Sequence, residues 1–116
     1  MWVTRLFTGG DDESHFEDLD IPTRAEGDIG SLSSPQSVTS LIFRETPATY
    51  DLSWHNAPAR QYVVMLEGWV EVEVGDGTCR RFGPGDILLA EDTTGRGHRS
   101  RAIGANPRRS LFITLD

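Results

Sequence analysis

Trp54-His55-Asn56-Ala57-Pro58-Ala59-Arg60-Gln61, running directly into Tyr62-Val63-Val64-Met65-Leu66-Glu67-Gly68, is the stretch on which the fold turns. Pro58 interrupts one extended segment, because it cannot donate to a strand ladder. Gln61–Leu66 is then apolar and ends at Gly68. With side chains alternating at period two, Gln61, Val63 and Met65 share one face. The next run, Trp69–Val74, alternates strictly, so its valines and glutamates face opposite sides and Glu71 and Glu73 are expected to face water. Gly75-Asp76-Gly77 reads as a tight hairpin and returns the chain through Thr78–Phe82. Gly83-Pro84-Gly85-Asp86 is a second turn, with Asp86 explained by turn chemistry. Ile87–Ala90, His98–Ile103 and Ser110–Leu115 follow as strands, and Val38–Arg44 and Tyr50–Trp54 precede. No segment longer than a turn has helical periodicity. Many short strands punctuated by turns predict an all-β sandwich or barrel.

The chain has 116 residues, enough for one domain that removes roughly two-thirds of its unfolded surface from water. Net charge is −7, which argues against nucleic acid as a partner. All eleven basic residues are arginine. Without lysine no side-chain Schiff base can form, which excludes an internal pyridoxal phosphate aldimine and lysine-dependent aldol chemistry. The single Cys79 has no intramolecular disulfide partner and is expected to be exposed beside a hairpin tip. No apolar run reaches the ~20 residues of a membrane span, and the N-terminus lacks the pattern of a signal peptide. A cytoplasmic protein with no membrane partner is the expectation.

Residues 1–37 are expected to form an N-terminal arm packing on the barrel or on a partner subunit, with a short strand near Ser14–Asp18. Residues 38–116 are expected to form the barrel. Acidic residues crowd the N-terminal part, and Arg96, Arg99, Arg101, Arg108 and Arg109 crowd the C-terminal part. These arginines read as a charged surface patch, with an anion-binding rim as the sharper alternative.

Residues 38–115 resemble the cupin superfamily of jelly-roll barrels (a double-stranded β-helix). The first cupin motif is Gly, five residues, His, one residue, His, three or four residues, Glu, six residues, Gly. Here Thr49 stands at the opening Gly, His55 at the first His, Ala57 at the second, Gln61 at the Glu and Gly68 at the closing Gly. The second motif starts at Pro84-Gly85-Asp86 and ends at His98, two residues later than usual, with Ala102 where Asn is expected. The resemblance implies a site inside the barrel at His55, Gln61 and His98, holding a divalent metal (Fe, Mn, Zn or Ni), with His15 as a further ligand if the arm covers the mouth. Ala57 supplies no ligand, and Gln61 supplies an oxygen without charge. The resemblance also implies a homodimer, which Trp2-Val3 and the many apolar strands support.

Two functional classes stay open. One is a binding protein that holds a small polar or anionic ligand with His55, Gln61, His98 and Arg60, its pocket lined by Met65 and Trp54. The other is an enzyme, either a weakly metal-dependent dioxygenase or isomerase, or a metal-free isomerase or epimerase with His55 or His98 as base. Tyr50 and Tyr62 are the only tyrosines available as acid, and Tyr62 should point away from the face of Gln61. Trp69 and Phe43 suit either a pocket or plain packing. Arg44, embedded in an apolar strand, requires a partner such as Glu45 or a bound anion. Glu91 or Asp92 is placed to orient His98 from the loop before it.

Overall fold

A computed structural model describes all residues from Met1 to Asp116. It contains twelve strands and a single 3-10 turn at Gly27–Ile29. The strands are β1 (Trp2–Thr8), β2 (Ser14–Asp20), β3 (Arg24–Ala25), β4 (Ser31–Leu32), β5 (Ser40–Thr46), β6 (Asp51–His55), β7 (Gln61–Glu67), β8 (Trp69–Glu73), β9 (Cys79–Phe82), β10 (Ile87–Ala90), β11 (His98–Ile103) and β12 (Arg108–Thr114). One sheet has the order β2-β1-β10-β7-β12-β5 and the second the order β6-β11-β8-β9, while β3 and β4 form a separate hairpin. The two large sheets face each other as a jelly-roll barrel, the all-β class expected from the strand pattern.

The inward faces meet in a core of Leu6, Val63, Met65, Val72, Phe82 and Leu88, among others. Val63 and Met65 arrive from β7 at period two, and Val70 and Val72 from β8, as the alternation predicts. Tyr62 falls on the opposite face of β7. It packs beside Val3, Leu89 and Leu115, and its hydroxyl donates to Gln36 Oε1 at 2.8 Å.

Glycines close the critical turns. Gly68 sits at φ +76°, and a Cβ there would lie 2.7 Å from the Pro107 carbonyl oxygen. Only glycine accepts both the left-handed backbone and that approach. At the second turn, Gly83 N–H donates to Asp86 Oδ2 at 2.8 Å, and Gly85 N–H donates to the Met65 carbonyl at 2.9 Å. Asp86 therefore serves the turn, and the turn in turn fixes the end of β7.

The expected arm divides in two. β1 pairs in parallel with β10, and β2 pairs with β1, so residues 2–20 are strands of the larger sheet itself. Residues 22–40 lie exposed on the outside, including the β3–β4 hairpin. β5, at the edge of the larger sheet, exposes Leu41, Ile42 and Phe43, the last at 78%. Glu71 differs from expectation. It lies on the outer face of β8 but is buried, because Arg101 Nη2 at 2.6 Å and Arg81 Nε at 3.1 Å cover its carboxylate. Hydrogen bonds from Arg101, then Arg81, hold its carboxyl below the ordinary value.

Candidate functional site

β6 and β11 pair antiparallel with His98 directly opposite His55, and the register slips between His98 and Ser100. Such an irregularity re-aims side chains without ending the pairing. The two imidazole rings lie 4.3 Å apart between centroids, tilted by 59°. Their approach depends on Gly97, which holds φ +79° and where a Cβ would overlap the His55 carbonyl oxygen.

Each imidazole is held by its Nδ1. His55 Nδ1–H donates to the Ser53 carbonyl at 2.7 Å. His98 Nδ1 lies 2.5 Å from Asp92 Oδ2, which also accepts from Ser14 Oγ at 2.7 Å. An ionised carboxylate only accepts, so Nδ1 of His98 carries the hydrogen. Asp92 has no solvent exposure at all. Both rings thus keep Nε2 for the barrel interior, where both line the same cavity. The Asp92 contact realises the expected orienting role. Glu91 points the other way, between Arg5 Nε at 2.6 Å and Arg60 Nε at 2.7 Å. Asn56, which the sequence reading passed over, donates to the carbonyls of Thr94 (2.9 Å) and Gly95 (3.0 Å) and ties the 91–97 loop to the end of β6.

The cavity has a volume of about 220 Å³. Gln61 lines it beside Ala90, its cross-strand partner on β10. Val63, Met65, Val70, Val72, Leu88 and Phe112 form an apolar belt. Arg44, Tyr50, Ser100 and Arg108 complete the polar wall. No aspartate or glutamate lines it.

Several expected site residues lie elsewhere. Arg60 is not in the cavity: the period that turns Gln61 inward turns Arg60 outward, where it pairs with Glu91 and with Asp116 Oδ2 at 3.1 Å. Trp54 is likewise outside the lining, with the Arg96 guanidinium 4.2 Å over its ring. His15, on β2, faces Asp11 at 2.9 Å and does not reach the barrel interior. Met65 lines the cavity as expected. Arg108, read from sequence as part of a surface patch, is buried at 5% exposure. The available signal was phase: Arg108, Ser110 and Phe112 share one face of β12.

A tightly held divalent metal takes three or more imidazole, thiolate or carboxylate ligands. Here His55 and His98 supply two neutral imidazoles, Gln61 an amide oxygen and Ala57 nothing. Nowhere in the chain do three or more His, Cys, Asp or Glu side chains converge as a metal-binding group. The nearby arginines add positive charge to the same space. This donor set does not fit a resident Fe, Mn, Zn or Ni ion.

Solved structures share the architecture. A conserved protein of unknown function from Streptococcus pyogenes, SPY1581, superposes with a TM-score of 0.51 at 12% identity, covering 72% of this chain and 69% of that one. Protein NMB1881 from Neisseria meningitidis superposes with a TM-score of 0.51 at 17% identity, covering 72% of this chain and 84% of that one. The likeness is one of fold alone: an all-β jelly-roll barrel. The cupin domain of Schizosaccharomyces pombe Cnp3 aligns with 99% of this chain and 84% of that one, at 13% identity and a TM-score of 0.49. No protein-family model matches the sequence, and a search of curated proteins finds no match. Of the two motifs that carry the sequence resemblance, the first keeps its architectural glycine and one histidine, and the second keeps its turn and its histidine.

Burial, the largest influence, pushes the His55 imidazole below its ordinary value, and nearby His98 adds to the lowering while the Ser53 hydrogen bond opposes it. In the unfolded chain His55 takes its proton near pH ~6.5, and in the folded barrel only at lower pH. Between those two values the unfolded state binds more protons, so stability falls as pH drops below about 6.5. The carboxyl of Glu71, held low by arginine, loses its contribution only in a more acidic range. Urea midpoints measured between neutrality and mild acid should therefore decline in the wild type and decline less in His55→Gln. Equal slopes in the two proteins would show that His55 does not carry this dependence.

Proposed function

We propose that this chain is a cupin that binds a small organic molecule inside the barrel, and that His55, Gln61 and His98 form the polar end of its pocket. The observation that carries this reading is the cavity itself. It is an apolar belt open at one mouth, with two imidazoles whose Nε2 atoms have no protein partner. Binding sites for small molecules have this composition: apolar walls with a few fixed polar groups. At ~30 Å³ per water, the cavity holds on the order of seven waters, or a ligand on the order of ten non-hydrogen atoms.

A second reading, catalysis without metal, draws on the Ser14–Asp92–His98 chain. A carboxylate on Nδ1 fixes the tautomer and makes Nε2 a better proton acceptor. In this reading His98 Nε2 removes a proton from a bound molecule, as an isomerase or epimerase base does.

One panel of small acids, amides and ketones tests both. Leu52 lines the cavity and is 43% exposed, so it stands at the rim. Ligand-observed NMR should detect binders to the wild type whose signals weaken at least about tenfold in Leu52→Trp, which blocks the mouth. Binding unchanged by that substitution would place the ligand outside the barrel. The same panel incubated in D₂O separates the readings. Exchange of carbon-bound hydrogen by the wild type but not by His98→Asn supports catalysis, and its absence supports binding alone.

A further inference from the structure

Arg108 is an arginine without an anion. It is 5% exposed, and its Nε and Nη1 have no hydrogen-bond partner. Its guanidinium lies 5.0 Å over the Tyr50 ring, and burial pushes it below the ordinary arginine value. Arg44, on the neighbouring strand, lies 5.4 Å over the same Tyr50 ring and 5.1 Å over Phe112. Neither arginine has an ion-pair partner, whereas Arg5, Arg60, Arg80, Arg81 and Arg101 each find a carboxylate.

The surroundings repeat the pattern. Arg108 pairs across the sheet with Thr46, and Ser110 with Arg44. Thr46 Oγ1 and Ser110 Oγ are also buried without a partner. Four adjacent positions on β5 and β12 thus bring together two cations and two hydroxyls, and no acidic side chain. Buried polar groups in folded proteins are nearly always satisfied, and a buried charge is nearly always paired. A cluster of unsatisfied groups of this kind, whose two arginines line a cavity, lacks its acceptor.

Register separates this cluster from the histidines. Along β7, Gln61 lies opposite Thr114 of β12, whereas Met65 lies opposite Ser110. Gln61 also pairs with Ala90, two residues before the Asp92 that holds His98 opposite His55, which puts the imidazoles toward the Gln61 end. The cationic cluster therefore occupies one end of the cavity, the imidazoles the other, and the apolar belt lies between.

The geometry points to a small monocarboxylic acid with an apolar body as the ligand, its carboxylate taken by Arg108 and Arg44. The planar guanidinium fork matches a carboxylate's two oxygens, and Thr46 and Ser110 support the same corner. The apolar body fills the belt of Val63, Met65, Val70, Val72 and Leu88. This inference rests on the cavity being the binding site. It assigns the anion to Arg108 and Arg44 in place of Arg60.

Matched acid and amide pairs test it: hexanoate with hexanamide, benzoate with benzamide, and phenylacetate with phenylacetamide. Calorimetric titration of the wild type should show at least one acid binding about 30-fold or more tighter than its amide, the loss expected when a buried charge partner is withdrawn. Arg108→Met should remove that preference, so that each acid binds no tighter than its amide. The free Arg108→Met protein should melt no lower than the wild type, since the substitution deletes an uncompensated buried charge. Arg44→Met, at a less buried position, should reduce the preference in part and supplies a second variant. Amides binding as tightly as acids, or a preference that survives Arg108→Met, would overturn the carboxylate assignment while leaving the cavity as the site. If no acid and no amide binds at millimolar concentration, both the assignment and the cavity reading fall.

Discussion

Replacing Gly97 by alanine should cost about 3 kcal/mol or more of folding stability, as the sum of two effects. The first is conformational: φ is +79°, a region an L-residue with a side chain enters at a cost of about 1–2 kcal/mol. The second is steric, because the new Cβ would overlap the His55 carbonyl, a backbone atom that cannot swing away. Relief requires β6 and β11 to separate where His55 faces His98, so the pocket is disturbed along with the fold. Gly104→Ala is the control. Its φ is +87°, and nothing lies within 4 Å of the added carbon. It should lose only the conformational part, about 1 kcal/mol. Urea denaturation of both variants reads the difference. Equal losses would mean that the close approach of Gly97 to His55 does not constrain the barrel.

Removing the Asp92 carboxylate should have the second large effect. Asp92→Ala leaves His98 Nδ1–H and the Ser14 hydroxyl buried without acceptors, each at a cost of about 1–3 kcal/mol. Part of that loss is offset because a buried carboxylate no longer has to be desolvated, so the expected net cost is about 2–4 kcal/mol. Asp92→Asn keeps the one oxygen that accepts both hydrogen bonds but removes its charge, and should fall about midway. The His98 ring nitrogens give an independent readout. In the wild type, ¹⁵N NMR should show Nδ1 protonated and Nε2 bare, and in Asp92→Ala the tautomers should mix. A change in stability below about 0.5 kcal/mol, with an unmoved ¹⁵N spectrum, would show that Asp92 does not hold His98.

The parts of this fold that were readable in sequence are those governed by local rules. The alternation of Trp69–Glu73, the glycines of the tight turns and the Pro84-Gly85-Asp86 corner each act over a few residues. Their strands appear within a few positions of expectation. Trp2–Thr8 escaped notice because its partner is the distant β10 in a parallel pairing, for which no turn signals. At the site, the relation between His55 and His98 was legible because motif spacing records it. Arg60 misled by adjacency: it neighbours Gln61 in sequence but faces outward by strand phase. Arg108 was hidden by composition, since it reads as one of the arginines of a charged surface patch. Only the pairing with Thr46 and Arg44 brings its face of β12 into the barrel. Glu71 shows the converse: strand phase correctly turned it outward, but two arginines cover it there.

The central claim is that the barrel cavity between the histidines and the two unpartnered arginines is a ligand site. A crystal of the wild-type protein soaked in phenylacetate tests it most directly. The expected result is density for the acid inside the barrel, with its carboxylate within hydrogen-bond distance of Arg108 and its ring against Val63 and Met65. A cavity closed by side chains, or an Arg108 guanidinium paired to a carboxylate of the protein itself, would contradict it.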